Sequence, residues 1–255
     1  MSAVHLIRHG AVAELCLDNP AKMNALTVDM LAAFAAHLEL IDHDMSVAAV
    51  MITATGDRAF CTGADINGWG ALTPAEFARH WVRSGHRIFD RLARLGKPTI
   101  AVLNGHAFGG GLELAAACDL RVMATGASLA LPEAGVGIVP GWSGTQRLLR
   151  LLPEPMVKEM ALFGHRIRAD RALACGFVAA VGDDPRALAM ALLDRAVTLS
   201  PRAVEISKSM IHAAIGEDRA AMVEALGSAA IAASPDRDEG VAAFREKRKP
   251  DFSGK

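Results

Sequence analysis

Two glutamates stand where a carboxylate is hard to keep. Glu113 follows Gly109-Gly110-Gly111 inside the apolar stretch Leu112-Glu113-Leu114-Ala115-Ala116-Ala117, and Glu133 ends Leu129-Ala130-Leu131-Pro132-Glu133. A carboxylate in apolar surroundings loses hydration, so it must find a partner or hold its proton more tightly than in water. For Glu113 alone, an ion pair with Arg121 or Arg147 meets that need, because structural ion pairs also bury carboxylates. The glycines before it permit unusual backbone shapes and close approach to the main chain. A helix start presents unpaired N–H groups and the positive end of a dipole. Such a place holds negative charge, including an oxyanion that forms during a reaction. The glycines by themselves fit a tight turn packed on a sheet equally well. Pro132 restricts the chain before Glu133. The segment Gly135-Val136-Gly137-Ile138-Val139-Pro140-Gly141 then leads to a second helix start at Ser143-Gly144-Thr145-Gln146-Arg147. Two carboxylates on separate turns beside two helix starts imply acid–base chemistry next to an oxyanion site. One takes a proton from water while the other gives one to carbon.

Other chemistries fit badly. A P-loop requires lysine and then Ser/Thr after its last glycine, and here Leu112-Glu113 follows; the spacing from Gly105 also misses G-x-G-x-x-G. His5 and His9, and His80 and His86, lack a carboxylate or cysteine cluster at ligand spacing, so no metal site is expected. His106 reads as a local hydrogen-bonding residue and the methionines as core filling. There is no tyrosine to serve as acid or base. Cys16, Cys61, Cys118 and Cys175 are far apart and form neither a zinc frame nor a disulfide frame. Net charge is −1, which argues against a general nucleic-acid or anionic-membrane binder. The basic run Arg245 to Lys249 reads as a solvated helix face or a local patch. The beginning of the chain lacks a secretory pattern, and charges interrupt each long apolar stretch. A cytoplasmic protein with no membrane span is expected.

The elements that must position the glutamates follow from periodicity. Val4 to Leu17 reads as a two-stranded hairpin closed by Asp18-Asn19-Pro20. Thr27 caps a helix with Met30, Leu31, Phe34 and Leu38 at helical spacing. Val47 to Thr53 and Thr99 to Leu103 are buried strands, and Pro74 to Leu95 is helical. Leu112 to Cys118 is a helix, Asp119 to Met123 and Ser128 to Leu131 are strands, and Gly144 to Leu152 is a helix ended by Pro153. Helices fill most of the remainder, including Pro185 to Leu199 and Pro201 to Ile215. The fold class is α/β with a helical C-terminal part. Gly182-Asp183-Asp184-Pro185 is the expected boundary, giving a core over residues 1–184 and a helical region over 185–255. No clean internal repeat is visible in the sequence.

At this point the residues resemble the enoyl-CoA hydratase/isomerase, or crotonase, family over nearly the whole chain. The strongest segment runs Lys97-Pro98-Thr99-Ile100-Ala101-Val102-Leu103-Asn104-Gly105-His106-Ala107-Phe108-Gly109-Gly110-Gly111-Leu112-Glu113-Leu114. Ala59-Phe60-Cys61-Thr62-Gly63-Ala64-Asp65-Ile66, Leu131-Pro132-Glu133, Gly144-Thr145-Gln146-Arg147-Leu148 and Phe244-Arg245-Glu246-Lys247-Arg248-Lys249-Pro250 add to it. The resemblance implies a spiral of repeated β-β-α units with a C-terminal helical trimerisation region, assembled as a trimer or a dimer of trimers. It implies an acyl-CoA substrate and no metal or redox cofactor. The N–H groups of Ala64 and Gly110 would form the oxyanion hole, and Glu113 and Glu133 match the two hydratase glutamates. Ala64-Asp65-Ile66 would line the adenine region of CoA, and Lys22 its entrance. Phe244 and Lys247 match positions that reach CoA from an adjacent subunit. The resemblance implies an enoyl-CoA hydratase. The rival reactions within the family are isomerase, decarboxylase, C–C hydrolase or lyase chemistry on the same enolate, and a non-catalytic CoA-binding protein is the rival outside catalysis. The family usually has small residues between Pro140-Gly141 and Gly144, where this chain has Trp142 and Ser143. Trp142 is expected either to reshape the acyl pocket toward a short, branched or aromatic group, or to pack into the core or a subunit contact.

Overall fold

The computed structural model describes residues 2–254. Strands β1 (Ala3–His9) and β2 (Val12–Asp18) pair antiparallel, with Ala3 opposite Asp18 and His9 opposite Val12. The Thr27 hydroxyl accepts from the Met30 N–H and starts helix α1 (Val28–His43), which buries Met30, Leu31, Phe34, Leu38 and Ile41. That spacing lays one apolar stripe on the sheet.

Three passes of the chain then each contribute two strands. They are β3 (Ala49–Ala54) with β4 (Ala59–Cys61), β5 (Thr99–Leu103) with β6 (His106–Phe108), and β7 (Leu120–Ala124) with β8 (Ser128–Ala130). The first pass continues into α2 (Pro74–Glu76), a π-helical stretch Phe77–Val82 and α3 (Arg83–Arg94). The second continues into α4 (Gly110–Ala116), and the third into α5 (Gly144–Leu151) and α6 (Glu154–Phe163). Strand β9 (Ile167–Arg168), helix α7 (Ala169–Ala174) and strand β10 (Ala180–Gly182) complete the two sheets. One sheet has the order β1-β2-β3-β5-β7-β10 and the other β4-β6-β8-β9. The first strand of each pass lies parallel to its predecessor in one sheet, and the second does the same in the other. This is the expected spiral of β-β-α units. The near-continuous apolar runs of β3 and β5 fit a sheet covered on both faces.

The region read from sequence as one helix, Pro74 to Leu95, is interrupted by the π-helical stretch. One extra residue per turn rotates Phe77, Trp81 and Val82 relative to α3. Apolar periodicity over so few residues does not separate the two spacings.

Helix α8 (Pro185–Ala196) lies beyond the compositional switch at Asp184, yet it packs with the sheet. Its Ala189 and Leu193 join a buried cluster with Val12, Ala49, Met51, Ile100, Val102 and Val122. The compact units divide between Val204 and Glu205. Composition marks where strands stop, whereas burial marks where the unit ends. The remaining helices are α9 (Pro201–Ala214), α10 (Arg219–Ala232) and α11 (Pro235–Glu246). Within the second unit, Arg248 pairs with Glu239, and the N–H groups of Ser253 and Gly254 donate to Asp236. No helix among the described residues is long and apolar enough to cross a membrane.

Candidate active site

The site begins where two backbone turns meet. The Leu26 N–H donates to the Gly63 carbonyl, and the Asp65 N–H donates to the Leu26 carbonyl, each at 2.8 Å. This is a one-residue parallel bridge between Leu26 and Ala64. Because successive peptide groups along a strand point to opposite sides, the Ala64 N–H faces away from Leu26. At the other turn Gly109 has φ 51 and ψ −126, a region nearly restricted to glycine. Its N–H donates to Ala130 at 3.0 Å. Helix α4 starts one residue later, so the Gly110 N–H has no intrahelical acceptor. A Cβ on Gly110 would stand 3.4 Å from the Gly63 Cα, which means the two turns are in contact. Ala64 and Gly110 both line a cavity of about 180 Å³, together with Glu113 and Glu133.

Close packing of α4 on β4 makes this approach possible. A Cβ on Gly111 would lie 2.1 Å from the Cys61 carbonyl oxygen. Neither group is a flexible side chain, so the helix must move. Gly111→Ala is expected to destabilise the protein by about 1–3 kcal/mol, or about 2–4 °C in Tm for each kcal/mol. Gly126→Ala, whose Cβ would meet nothing within 4 Å, is the control with unchanged Tm. Equal melting of the two variants in a calorimetric scan would contradict the packing argument.

Glu113 sits in the first turn of α4 and is 3% exposed. Its Oε1 accepts from the N–H groups of Trp142 and Gly144, both at 2.8 Å. Burial raises its pKa, opposed by those N–H groups, the Arg147 charge and the Gly141 N–H. Neither arginine foreseen as an ion-pair partner takes that role. Arg121 donates to the carbonyls of Phe177, Ala115, Cys118 and Asp119, while Arg147 donates to Asp90. Backbone amides satisfy the carboxylate instead, and they leave its second oxygen uncommitted to either arginine.

Glu133 is 7% exposed and opens a 3-10 turn, Glu133–Val136, after β8. Its pKa is pushed up to about 7, first by burial and further by the nearby Glu113 charge, against a lowering contribution from its own N–H. Its Oε2 has no hydrogen-bond partner among the described residues. Its Oε1 would lie 2.8 Å from a Cβ on Gly109, so the absence of a side chain there makes room for the carboxyl group. The two acids therefore differ. Glu113 is held by two donors, and Glu133, with its Oε2 left without a partner among the described residues, has its pKa pushed up to about 7.

Trp142 is 3% exposed, packs in the core and lines the cavity. Its ring centroid lies 5.4 Å from Trp81 and 5.3 Å from Phe89. A Cβ on Gly85 would stand 2.2 Å from its Nε1, and one on Gly110 would stand 2.8 Å from Cζ3. The indole thus occupies a slot between α3 and the head of α4. Trp69, Phe77, Trp81 and Val82 extend the apolar wall, with Val136, Ile138 and Val139 opposite in sequence. Sequence reasoning missed the first four: Phe77, Trp81 and Val82 lie on the π-helical stretch, and Trp69 ends the short turn Ile66–Gly68. The sequence signal available was aromatic spacing alone.

At the cavity edge Lys22 Nζ donates to Asp65 Oδ2 at 2.6 Å, and that bond holds the Asp65 carboxyl below its ordinary pKa. Asp65 also caps the short turn Ile66–Gly68 by accepting from the Asn67 N–H. Ile66 is exposed and lines the same cavity. Lys22, Ala64, Asp65 and Ile66 therefore form one neighbourhood. Phe244 and Lys247 belong to the second compact unit. Phe244 is 86% exposed, and Lys247 ends α11 in a left-handed conformation. His106 accepts from the Ser128 N–H at 3.2 Å through Nδ1, a bond from β6 to β8 rather than a local one.

The sequence matches the enoyl-CoA hydratase/isomerase family over residues 8–255. It is 35% identical over 253 residues to the short-chain-enoyl-CoA hydratase of Clostridium acetobutylicum, covering 98% of this chain and 97% of that protein. It is 36% identical over 248 residues to the crotonyl-CoA hydratase of Syntrophomonas wolfei, covering 96% and 95%. The crystal structure of an enoyl-CoA hydratase from Bacillus anthracis superposes with a TM-score of 0.81 at 32% identity, over 99% of each chain.

Proposed function

The chain belongs to the enoyl-CoA hydratase/isomerase family, and on that premise we propose that it is an enoyl-CoA hydratase adding water to a trans-2-enoyl-CoA thioester. The observation that carries the reading is the pair of buried glutamates in one cavity that Ala64 and Gly110 also line. The thioester oxygen accepts from the N–H groups of Ala64 and Gly110. Glu113 takes a proton from water as the water oxygen bonds to the β-carbon. The C=C electrons move toward the thioester, and the oxygen carries the enolate charge. The enolate then takes the Glu133 proton at the α-carbon. Proton exchange with solvent returns both acids to their starting states. The amides act on charge that develops during the reaction, so they bind the transition state better than the substrate. Both acids line the same cavity, which supports syn addition. Charge is met by amides and protons by carboxylates, so the reaction needs no cofactor beyond the CoA of its substrate.

Lys22, Ala64, Asp65 and Ile66 are proposed to receive CoA, with Phe244 and Lys247 supplied by a neighbouring subunit of a trimer or a dimer of trimers. Exposed Ile211, Ile215, Val223 and Ile231 in the helical C-terminal region support such an assembly. A cytoplasmic location fits four cysteines that are all free. The deciding assay is loss of crotonyl-CoA absorbance with mass identification of the product. Gain of one water supports hydration, whereas an unchanged or rearranged mass in the product rejects it.

Trp142 is proposed to close the acyl pocket, in keeping with short substrates. Trp142→Ala is expected to raise the ratio of kcat/KM for an eight-carbon over a four-carbon enoyl-CoA by about tenfold or more, the scale of one or two methylene contacts. It also removes core packing worth about 3–5 kcal/mol, so the profiles are compared below the lower Tm. Identical chain-length profiles would remove Trp142 from the pocket.

A further inference from the structure

Ser143 lies between the two amides that hold Glu113, and its backbone is left-handed, with φ 72 and ψ 15. In that shape the N–H groups of Trp142 and Gly144 converge on one carboxylate oxygen. A residue with a Cβ resists the conformation, because the Cβ crowds the following carbonyl. A closed circuit of contacts offsets this strain. The Ser143 hydroxyl oxygen lies 2.8 Å from His86 Nδ1. His86 Nε2 lies 3.2 Å from Asp90 Oδ2, one turn along α3. Asp90 Oδ1 accepts from Arg147 Nη2 at 2.5 Å, and the Arg147 N–H donates to the Ser143 carbonyl at 3.0 Å. The hydroxyl oxygen also lies 3.1 Å from His86 Nε2, and with the Nε2–H given to Asp90 it is Nδ1 that accepts from the Ser143 hydroxyl.

Serine, histidine and aspartate in this order resemble a nucleophilic relay. The setting argues otherwise. Ser143 is buried, and its hydroxyl is turned to α3, while Gly141 and Trp142 supply the cavity wall. We infer that His86, backed by Asp90, is a positioning residue that pins the left-handed Ser143 and so keeps two amides aimed at Glu113. The inference rests on the reading of Glu113 as the group that acts on water.

The test is a cycle of wild type, His86→Ala, Ser143→Gly and the double variant. Glycine adopts the left-handed turn unaided. His86→Ala is expected to lose about ten- to a hundredfold in kcat with nearly unchanged KM, the scale of a sub-ångström misplacement at the reacting group. Ser143→Gly stays near wild type. In the Ser143→Gly background, loss of His86 costs less than about threefold, because the two residues act as one unit. Melting without substrate follows the same pattern, with His86→Ala lower by about 2–4 °C and the double variant restored. An equal effect of His86→Ala in both backgrounds overturns the inference, as does a His86→Ala enzyme with wild-type kcat. A wild-type protein that hydrates no enoyl-CoA refutes the proposed function instead, and the melting cycle then decides alone whether His86 pins Ser143.

Discussion

Glu133→Gln is expected to lower kcat for crotonyl-CoA hydration by about 10²–10⁴, the usual worth of a positioned acid, with little change in substrate affinity. The amide fills the same space beside Gly109 but has no acidic proton to give. The pH dependence carries a second expectation. Burial lifts the Glu133 pKa from 4.5 to about 7. Hydration requires the protonated acid, so kcat/KM should fall as pH rises through about 7, and that limb should vanish from the residual activity of the variant. Stability follows the same proton. Between pH 4.5 and about 7 the folded protein holds a proton that the unfolded chain releases. Stability supplied by that proton is complete below the unfolded value and is lost as pH rises through the folded one. The loss is on the order of 3 kcal/mol. Glutamine does not titrate, so the variant should melt above wild type at pH 8, and the gap should shrink toward pH 5. A variant less active yet no more stable at pH 8 would mean that the carboxyl is not held protonated by burial.

Glu113→Gln is expected to lose about 10²–10⁴ in kcat with KM changed by less than about threefold. The choice of glutamine matters. Its carbonyl oxygen can accept from the Trp142 and Gly144 N–H groups as Glu113 Oε1 does. Alanine would leave both buried donors unmet at about 1–3 kcal/mol each and would confuse a chemical loss with a structural one. The variant should therefore fold and bind crotonyl-CoA, measurable by calorimetric titration. It should fail only at the step in which water loses a proton. Near-normal turnover would remove Glu113 from that step. Affinity lost in proportion to kcat would show that the residue shapes binding rather than chemistry.

The elements on which the proposed chemistry rests were legible along the chain, because they are local. A glycine turn before a helix and a carboxylate in an apolar run can be read within a few residues, so Glu113, Glu133 and the turn at Gly110 could be named without coordinates. The hairpin, the capped helix α1 and strands β3 and β5 follow from period and capping, which are also local. What satisfies the buried acids was not legible. The arginine partners that charge alone offers for Glu113 gave way to backbone amides 29 and 31 residues away. A hydrogen bond from the main chain carries no residue type to read. The convergence of Ala64 and Gly110 depends on a bridge to Leu26 and on glycine contacts between turns. The link from Ser143 through His86 to Asp90 spans 57 residues before it turns along α3. Sequence thus determined which groups could do acid–base work. Tertiary structure decided which group is held by donors and how far burial raises each acid, because burial and hydrogen bonding depend on neighbours that are distant in the chain.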